Sequence, residues 1–157
     1  MTTDTLASAL ESEHREIDEG IEAFLAAQAQ GLRATEPLTR AMAALRRHIF
    51  IEEELLFPPL REAGMVAPIV VMLREHGEIW NTLDTLAAQL ETEADDAAVS
   101  ATCEQLLAQL DRHNAKEEPI LYPQADTVLT AAAGARIRAF VAAGRMPEAW
   151  VCARATT

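Results

Sequence analysis

Apolar residues recur at steps of three and four through four long stretches of the chain, as they do along one face of an amphipathic helix. In the first stretch, residues 5–30, the apolar positions are Leu6, Leu10, Ile17, Ile21 and Phe24. Gly31 suits the end of that helix, and Thr35-Glu36-Pro37 suits the N-cap and first turn of the next. The pattern therefore predicts four amphipathic helices.

Short connections join these helices, so neighbouring helices are expected to run antiparallel. The predicted fold is all-α, an antiparallel up-and-down four-helix bundle made of two helical hairpins, with a short fifth helix near residues 128–144. We expect residues 1–125 to form the bundle and residues 126–157 to form a C-terminal helix and tail packed on it. Pro58 and Pro59 are expected to bend or end the second helix, and Pro119 to kink the fourth.

The histidines occupy the apolar stripes, one on each predicted helix: His14, His48, His76 and His113. Two of them are followed four residues later by a glutamate, at Glu52 and Glu117. Residues at this spacing are one helical turn apart and point the same way. The two halves of the chain therefore read as a tandem repeat, each with a helix bearing one histidine and a helix bearing a His-x3-Glu motif.

A carboxylate in the core of a bundle costs several kcal/mol unless it is neutralised or paired. No lysine or arginine shares the core positions of these stripes, whereas a cation would bind both the carboxylates and the imidazoles. Two metal ions that share Glu52 and Glu117 as bridges would each have two histidines and two carboxylate oxygens. Such ions lie about 3.5–4 Å apart. Mixed nitrogen and oxygen ligands suit iron, and also manganese or zinc.

Other polar and aromatic residues lie close to these motifs. Four glutamates beside the lone histidines are expected to lie off the stripe as solvated charge: Glu13, Glu16, Glu75 and Glu78. Glu53 and Glu118 either accept hydrogen bonds from metal-bound histidines or are surface charge. Phe57 and Tyr122 stand in equivalent places and are expected to pack, with the Tyr122 hydroxyl a further candidate at the metal site.

The composition narrows the range of partners. The formal net charge is −12, which disfavours nucleic acids and anionic membranes. The longest apolar run, residues 65–73, is too short for a membrane span and is interrupted by Pro68. The first residues have neither the basic region nor the apolar core of a signal peptide, so a cytoplasmic protein is expected. Cys103 and Cys152 form no CxxC motif, and neither a disulfide scaffold nor a thiolate metal site is expected.

These motifs resemble the hemerythrin-like family of HHE cation-binding domains. The resemblance covers roughly residues 5–125 and rests on the four histidines, the two His-x3-Glu pairs and the Glu-Glu-x-x-Leu-Phe/Tyr-Pro sequence after the histidine of each pair. It implies a four-helix bundle around a non-haem di-iron centre, bridged by two carboxylates and an oxo or hydroxo group. A small ligand is the implied partner: oxygen, peroxide or nitric oxide.

Two positions depart from the oxygen-carrying members of the family. Those proteins have a fifth histidine four residues after the lone histidine of the third helix, where this chain has Trp80. The equivalent residue of the first half is Asp18, so Asp18, Tyr122 or a water is left to replace the imidazole. The carriers also have a His-x4-Asp motif where this chain has Glu117. These departures favour reaction with peroxide or another exchangeable ligand over reversible oxygen carriage.

Three classes of function follow. The leading hypothesis is a di-iron protein that binds or turns over oxygen, peroxide or nitric oxide, with a catalase-like reaction as its enzymatic form. The second is an iron-sensing or iron-storing module, or a relative of the di-iron proteins that repair iron–sulfur clusters, although a cysteine-bearing domain like that of those proteins is not expected here. The third, a metal-free helical interaction protein, leaves the buried glutamates unexplained. A monomer or weak homodimer is expected.

Overall fold

The computed structural model describes residues 5–156, and this part of the chain is helical and contains no β-strand. The elements are α1 (Leu6–Ala29), α2 (Glu36–Ile51), a π-helical segment (Glu52–Leu56), α3 (Phe57–Glu62), α4 (Val66–Glu91), α5 (Asp96–Ile120), α6 (Tyr122–Val128) and α7 (Ala131–Ala143). No helix among these residues is both long and apolar enough to cross a membrane. The predicted all-α fold is confirmed.

Helices α1, α2, α4 and α5 form the bundle. Helix α1 packs on α2 and α5, and α4 packs on α5, which gives the predicted pair of hairpins. The start of α1 is set by Thr5, whose hydroxyl accepts a hydrogen bond from the backbone nitrogen of Ser8 at 3.0 Å. Asp95 caps α5 in the same way at Ala98, at 2.8 Å. These caps satisfy backbone donors that have no partner within the helix, and so mark where each helix begins.

The core consists of two apolar clusters separated by a polar layer. One cluster contains Ile17, Phe24 and Leu106, and the other contains Leu10 and Leu56. All four histidines, together with Glu52 and Glu117, are buried at the level between the two clusters. The bundle therefore encloses its ionisable groups between two layers of packed hydrocarbon, and this limits access of water to them.

The second helix neither stops nor simply bends at its prolines. It changes to a π-helix over Glu52–Leu56, in which Phe57 donates a backbone hydrogen bond to the carbonyl of Glu52, and it then resumes as α3. Pro58 and Pro59 have no N–H group, so the carbonyls four residues before them lose their α-helical donors. A π-turn accommodates this loss by adding one residue to the turn. The added residue lies in the segment that carries both Glu52 and Glu53.

The predicted fifth helix is α7, which ends at Ala143 and packs on α1 and α2. The tail that follows, residues 144–156, returns along α2 and α4. The ring centroid of Trp150 lies 5.2 Å from that of Phe50 and 5.5 Å from that of Trp80. The division of the chain at residue 125 stays a prediction, and residues 1–4 and 157, which it includes, lie outside the described part.

The tail and α4 approach each other most closely at Gly77. A Cβ atom added to Gly77 would lie 2.5 Å from the backbone oxygen of Arg154, so only a glycine allows this approach. Beside it, the buried thiol of Cys152 lies 3.8 Å from the carbonyl oxygen of His76. The tail is therefore packed against the turn of α4 that carries His76.

Candidate metal centre

The four histidines form two pairs in the polar layer. The ring centroids of His14 and His48 are 4.6 Å apart, and those of His76 and His113 are 4.9 Å apart. The Nε2 atoms of the first pair lie 3.0 Å from each other. The first pair has one histidine on α1 and one on α2, and the second has one on α4 and one on α5. Each pair therefore joins two neighbouring helices of the bundle.

Two buried carboxylates connect these pairs. The Glu52 oxygens lie 3.4 Å from His48 Nε2 and 3.1 Å from His76 Nε2. The Glu117 oxygens lie 3.2 Å from His14 Nε2 and 3.3 Å from His113 Nε2. Each carboxylate therefore reaches one imidazole of each pair. The result is two donor groups, each able to hold a metal ion, whose ligand atoms lie within 4.8 Å of one another: His14, His48, Glu52 and Glu117; and Glu52, His76, His113 and Glu117.

The outer nitrogen of every imidazole is held by a second carboxylate. The Nδ1 atoms contact glutamate oxygens at 2.8, 2.6, 2.7 and 3.0 Å in the pairs His14–Glu118, His48–Glu13, His76–Glu53 and His113–Glu75. A carboxylate at Nδ1 fixes the orientation of the ring and leaves Nε2 free to bind a metal. This arrangement follows the two-fold repeat of the sequence.

The expectation that Glu13 and Glu75 are solvated charges is wrong. Glu13 is buried and Glu75 is partly buried, because each reaches the histidine of a neighbouring helix rather than the one beside it in sequence. Glu16 and Glu78 are exposed, as expected. The sequence did contain a sign that Glu13 and Glu75 belong to the site, because a Glu-His dipeptide occurs at the same place in both halves of the chain.

The four glutamates that contact the Nδ1 atoms differ in their own partners and in their exposure to solvent. Arg47 Nη2 lies 3.0 Å from Glu13, and Lys116 pairs with Glu75. Glu53 accepts a hydrogen bond of 2.9 Å from the backbone nitrogen of Ala153 in the tail, and only 5% of its side chain is exposed. By contrast, 37% of the Glu118 side chain is exposed. The second half of the site is therefore covered by the tail, and the first half is nearer to solvent.

Tyr122 lies inside the candidate site. Its buried hydroxyl is 2.8 Å from Glu52 Oε2 and 2.9 Å from Glu117 Oε1. It is also 2.9 Å from His14 Nε2 and 3.1 Å from His48 Nε2. The equivalent Phe57 instead stacks on His76, with 5.5 Å between ring centroids. Because one half has a phenol where the other has a phenyl ring, the two donor groups are chemically different.

Asp18 lies near the site but outside both donor groups. It lines a small cavity of about 10 Å³ together with His14 and His48. Burial and the nearby charge of Glu22 raise the pKa of Asp18 above its usual range. Asp18 is thus close to the first histidine pair and lines the same internal cavity as its two imidazoles.

The charges within the layer perturb one another strongly. Burial lowers the pKa of His113, but the carboxylates of Glu117 and Glu75 outweigh it and raise that pKa to about 10. Burial raises the pKa of Glu117, but the imidazoles of His113 and His14 lower it well below its usual range. Before a metal binds, His113 and Glu117 therefore form an imidazolium–carboxylate pair, and a metal ion that binds His113 has to displace its proton.

The donor set fits bound metal. Among residues 5–156, the buried Oε2 atom of Glu117 makes no hydrogen bond, although it lies 3.3 Å from His113 Nε2. A buried polar atom without a hydrogen bond costs about 1–3 kcal/mol, and more when it is charged. A cation would provide the missing partner, and imidazole nitrogen with carboxylate oxygen is a ligand set suited to iron, manganese or zinc.

The fold and this site define a helical-bundle protein with buried histidine and glutamate groups able to bind metal at its centre. The sequence pattern of the hemerythrin HHE cation binding domain matches residues 5–125. The chain therefore belongs to this family, as the motifs indicated. No curated protein and no solved structure matches the chain significantly.

Proposed function

We propose that the chain is a cytoplasmic non-haem di-iron protein that binds or turns over oxygen, peroxide or nitric oxide. The observation that carries this proposal is the position of the two shared carboxylates. Glu52 and Glu117 each contact one imidazole of each histidine pair, as expected of groups that bridge two ions. Membership of a cation-binding family supports the same conclusion.

In this proposal each residue of the polar layer has a defined role. His14 and His48 would hold one ion through Nε2, His76 and His113 would hold the other, and Glu52 and Glu117 would be shared between them. Glu13, Glu53, Glu75 and Glu118 hold the rings in place through Nδ1. The metal pair supplies redox chemistry, and the surrounding apolar clusters keep bulk water away from it.

Tyr122 is the best candidate to replace the missing fifth imidazole. Its hydroxyl lies within 3.1 Å of both nitrogens of the first histidine pair, whereas Asp18 belongs to neither donor group. Burial and the charges of Glu117 and Glu52 raise the pKa of Tyr122 well above its usual range. Tyr122 therefore keeps its proton until a cation binds nearby, and can then act as a ligand or as a hydrogen-bond donor.

The space beside the site supports a small ligand. The internal cavity is about 10 Å³, and its walls include the apolar side chains of Ile17, Leu45 and Leu110 beside the histidines. A volume near 10–15 Å³ is roughly what a single water molecule requires. Diatomic molecules and peroxide are close to this size, while a larger substrate would require the helices to separate.

Metal content tests this proposal directly. Protein purified without a chelator, or reconstituted anaerobically with ferrous iron, is expected to contain two irons per chain by elemental analysis. The variant Glu52→Ala/Glu117→Ala serves as the control for adventitious iron. Absence of metal after reconstitution would contradict the proposal. Two irons without consumption of peroxide and without binding of oxygen or nitric oxide would instead favour an iron-storing or iron-sensing module.

A further inference from the structure

The two-fold repeat makes two gaps between helices equivalent, but different residues line them. The gap between α1 and α5 corresponds to the gap between α4 and α2. Asp18 and Asn114 lie at the mouth of the first gap. Asp18 is four residues after His14, and Asn114 is the residue after His113. The equivalent residues of the second gap are Trp80 and Ile49. Two polar residues on one side thus stand where two large apolar residues stand on the other.

The gap between α4 and α2 is filled. Trp80 is 4% exposed and Ile49 is 1% exposed. The guanidinium of Arg46 lies 4.5 Å from the centre of the Trp80 ring, and Trp150 of the tail packs on its edge. The tail then continues over Glu53, the carboxylate that holds His76. Side chains and tail together cover the centre on this side.

The gap between α1 and α5 opens outward. A surface cavity of about 250 Å³ is lined by His14, Asp18, Asn114 and Glu118, among other residues. The internal cavity beside the histidine pairs is also lined by His14, Asp18 and Asn114. These three side chains are therefore common to the outer and the inner space, and Asp18 and Asn114 form the wall between solvent and the candidate metal centre.

Asn114 carries a buried hydrogen-bond acceptor at this wall. Its Oδ1 atom makes no hydrogen bond to any group in the described part of the chain. Buried polar atoms are nearly always hydrogen-bonded, so an acceptor here is suited to a molecule with an O–H group. Oxygen and nitric oxide have no hydrogen to donate. Around the outer cavity the acidic side chains outnumber the single arginine, Arg15, and this disfavours anions; the acidic residues are Asp18, Asp111 and Glu118.

We propose that ligands reach the metal centre from one side only, through the gap between α1 and α5, and that Asp18 and Asn114 form a gate selecting a small uncharged molecule with an O–H group. Hydrogen peroxide has this chemistry. The identity of the ligand rests on the proposed function, whereas the one-sided path is a property of the bundle itself. The two parts can therefore be tested separately.

The path is tested without metal. Exchange of the imidazole C2 hydrogen with deuterated water, measured by mass spectrometry on the apoprotein, reports the access of solvent to each histidine. We expect His14 to exchange faster than His76, and Asn114→Leu, which replaces the amide with a bulkier apolar side chain, to slow His14 selectively. Gln105→Leu, at an exposed position on the same helix, is the matched control and should change neither rate. Equal exchange at His14 and His76 would overturn the one-sided path.

Selection is tested on the iron-loaded protein by stopped-flow absorbance after mixing with hydrogen peroxide or with oxygen. Asn114→Leu should retain its iron but react roughly tenfold more slowly with both oxidants, because the gap is blocked. Asn114→Ala removes the hydrogen-bond acceptor and widens the gap, so it should lower the ratio of the peroxide rate to the oxygen rate. Unchanged rates in Asn114→Leu would overturn the path, and an unchanged ratio in Asn114→Ala would overturn the selection. A chain that binds no iron would refute the proposed function and leave the exchange experiment to decide the path.

Discussion

Removal of Glu117 is expected to release both metal ions, whereas removal of His14 is expected to release one. Glu117 contacts an imidazole of each pair and belongs to both donor groups, so Glu117→Ala reduces each group from four donors to three. His14 belongs to the first group alone, so His14→Ala leaves the second group intact. The difference between the two variants follows from bridging and not from the number of ligands removed.

The size of the effect can be worked from linkage. An ion present at 100 times its dissociation constant stabilises the folded state by about 2.7 kcal/mol, and two independent ions by about twice that. For a chain of 157 residues, 1 kcal/mol corresponds to a shift of roughly 2–4 °C in the unfolding temperature. Ferrous iron should therefore raise the unfolding temperature of the unmodified protein by about 10–20 °C. His14→Ala should show about half of this rise, and Glu117→Ala almost none.

Thermal unfolding followed by circular dichroism, with and without ferrous iron under anaerobic conditions, measures this difference. Each variant is compared with its own apoprotein, because loss of a buried carboxylate also changes the stability of the apoprotein. Glu104→Ala, at an exposed position on α5, is the control. Elemental analysis of the same samples counts the ions. Two ions per chain in Glu117→Ala, or none in His14→Ala, would refute the assignment of shared carboxylates.

Three further predictions concern the surroundings of the centre. Glu13→Ala should weaken metal binding by about 10–100-fold in a calorimetric titration, since Glu13 orients His48, while Glu16→Ala at an exposed site should leave it unchanged. Gly77→Ala should lower the free energy of unfolding by about 1–3 kcal/mol, because its Cβ meets the backbone of the tail, whereas Gly134→Ala, with open space around it, should be neutral or slightly stabilising in the same denaturant titration. The pKa of His113 is raised from 6.5 to about 10 by folding, so its contribution to the stability of the apoprotein is complete below pH 6.5 and is lost as the pH rises to about 10. Unfolding temperatures measured in a chelator should fall across this interval, and a constant value would contradict the pKa assignment.

Periodicity within single helices determined much of the fold from sequence. The three- and four-residue spacing identified the four bundle helices and α7, and it placed every histidine on a buried stripe. The i, i+4 spacing put Glu52 beside His48 and Glu117 beside His113. These relations depend only on helical geometry and on the hydrophobic effect, so they can be predicted from the sequence of each helix alone. That these groups bind metal in the cell stays a prediction.

Contacts between helices were decided by the tertiary structure. Glu13 and Glu75 looked like surface charges because their own helices place them beside the apolar stripe, but each lies within reach of an imidazole on the adjacent helix. The π-turn at Glu52 and the docking of the tail on Glu53 likewise depend on packing between distant segments. Periodicity reports the direction of a side chain relative to its own helix axis. Which neighbour it meets depends on how the helices are rotated and how closely they approach, and this is set only when the whole bundle is assembled.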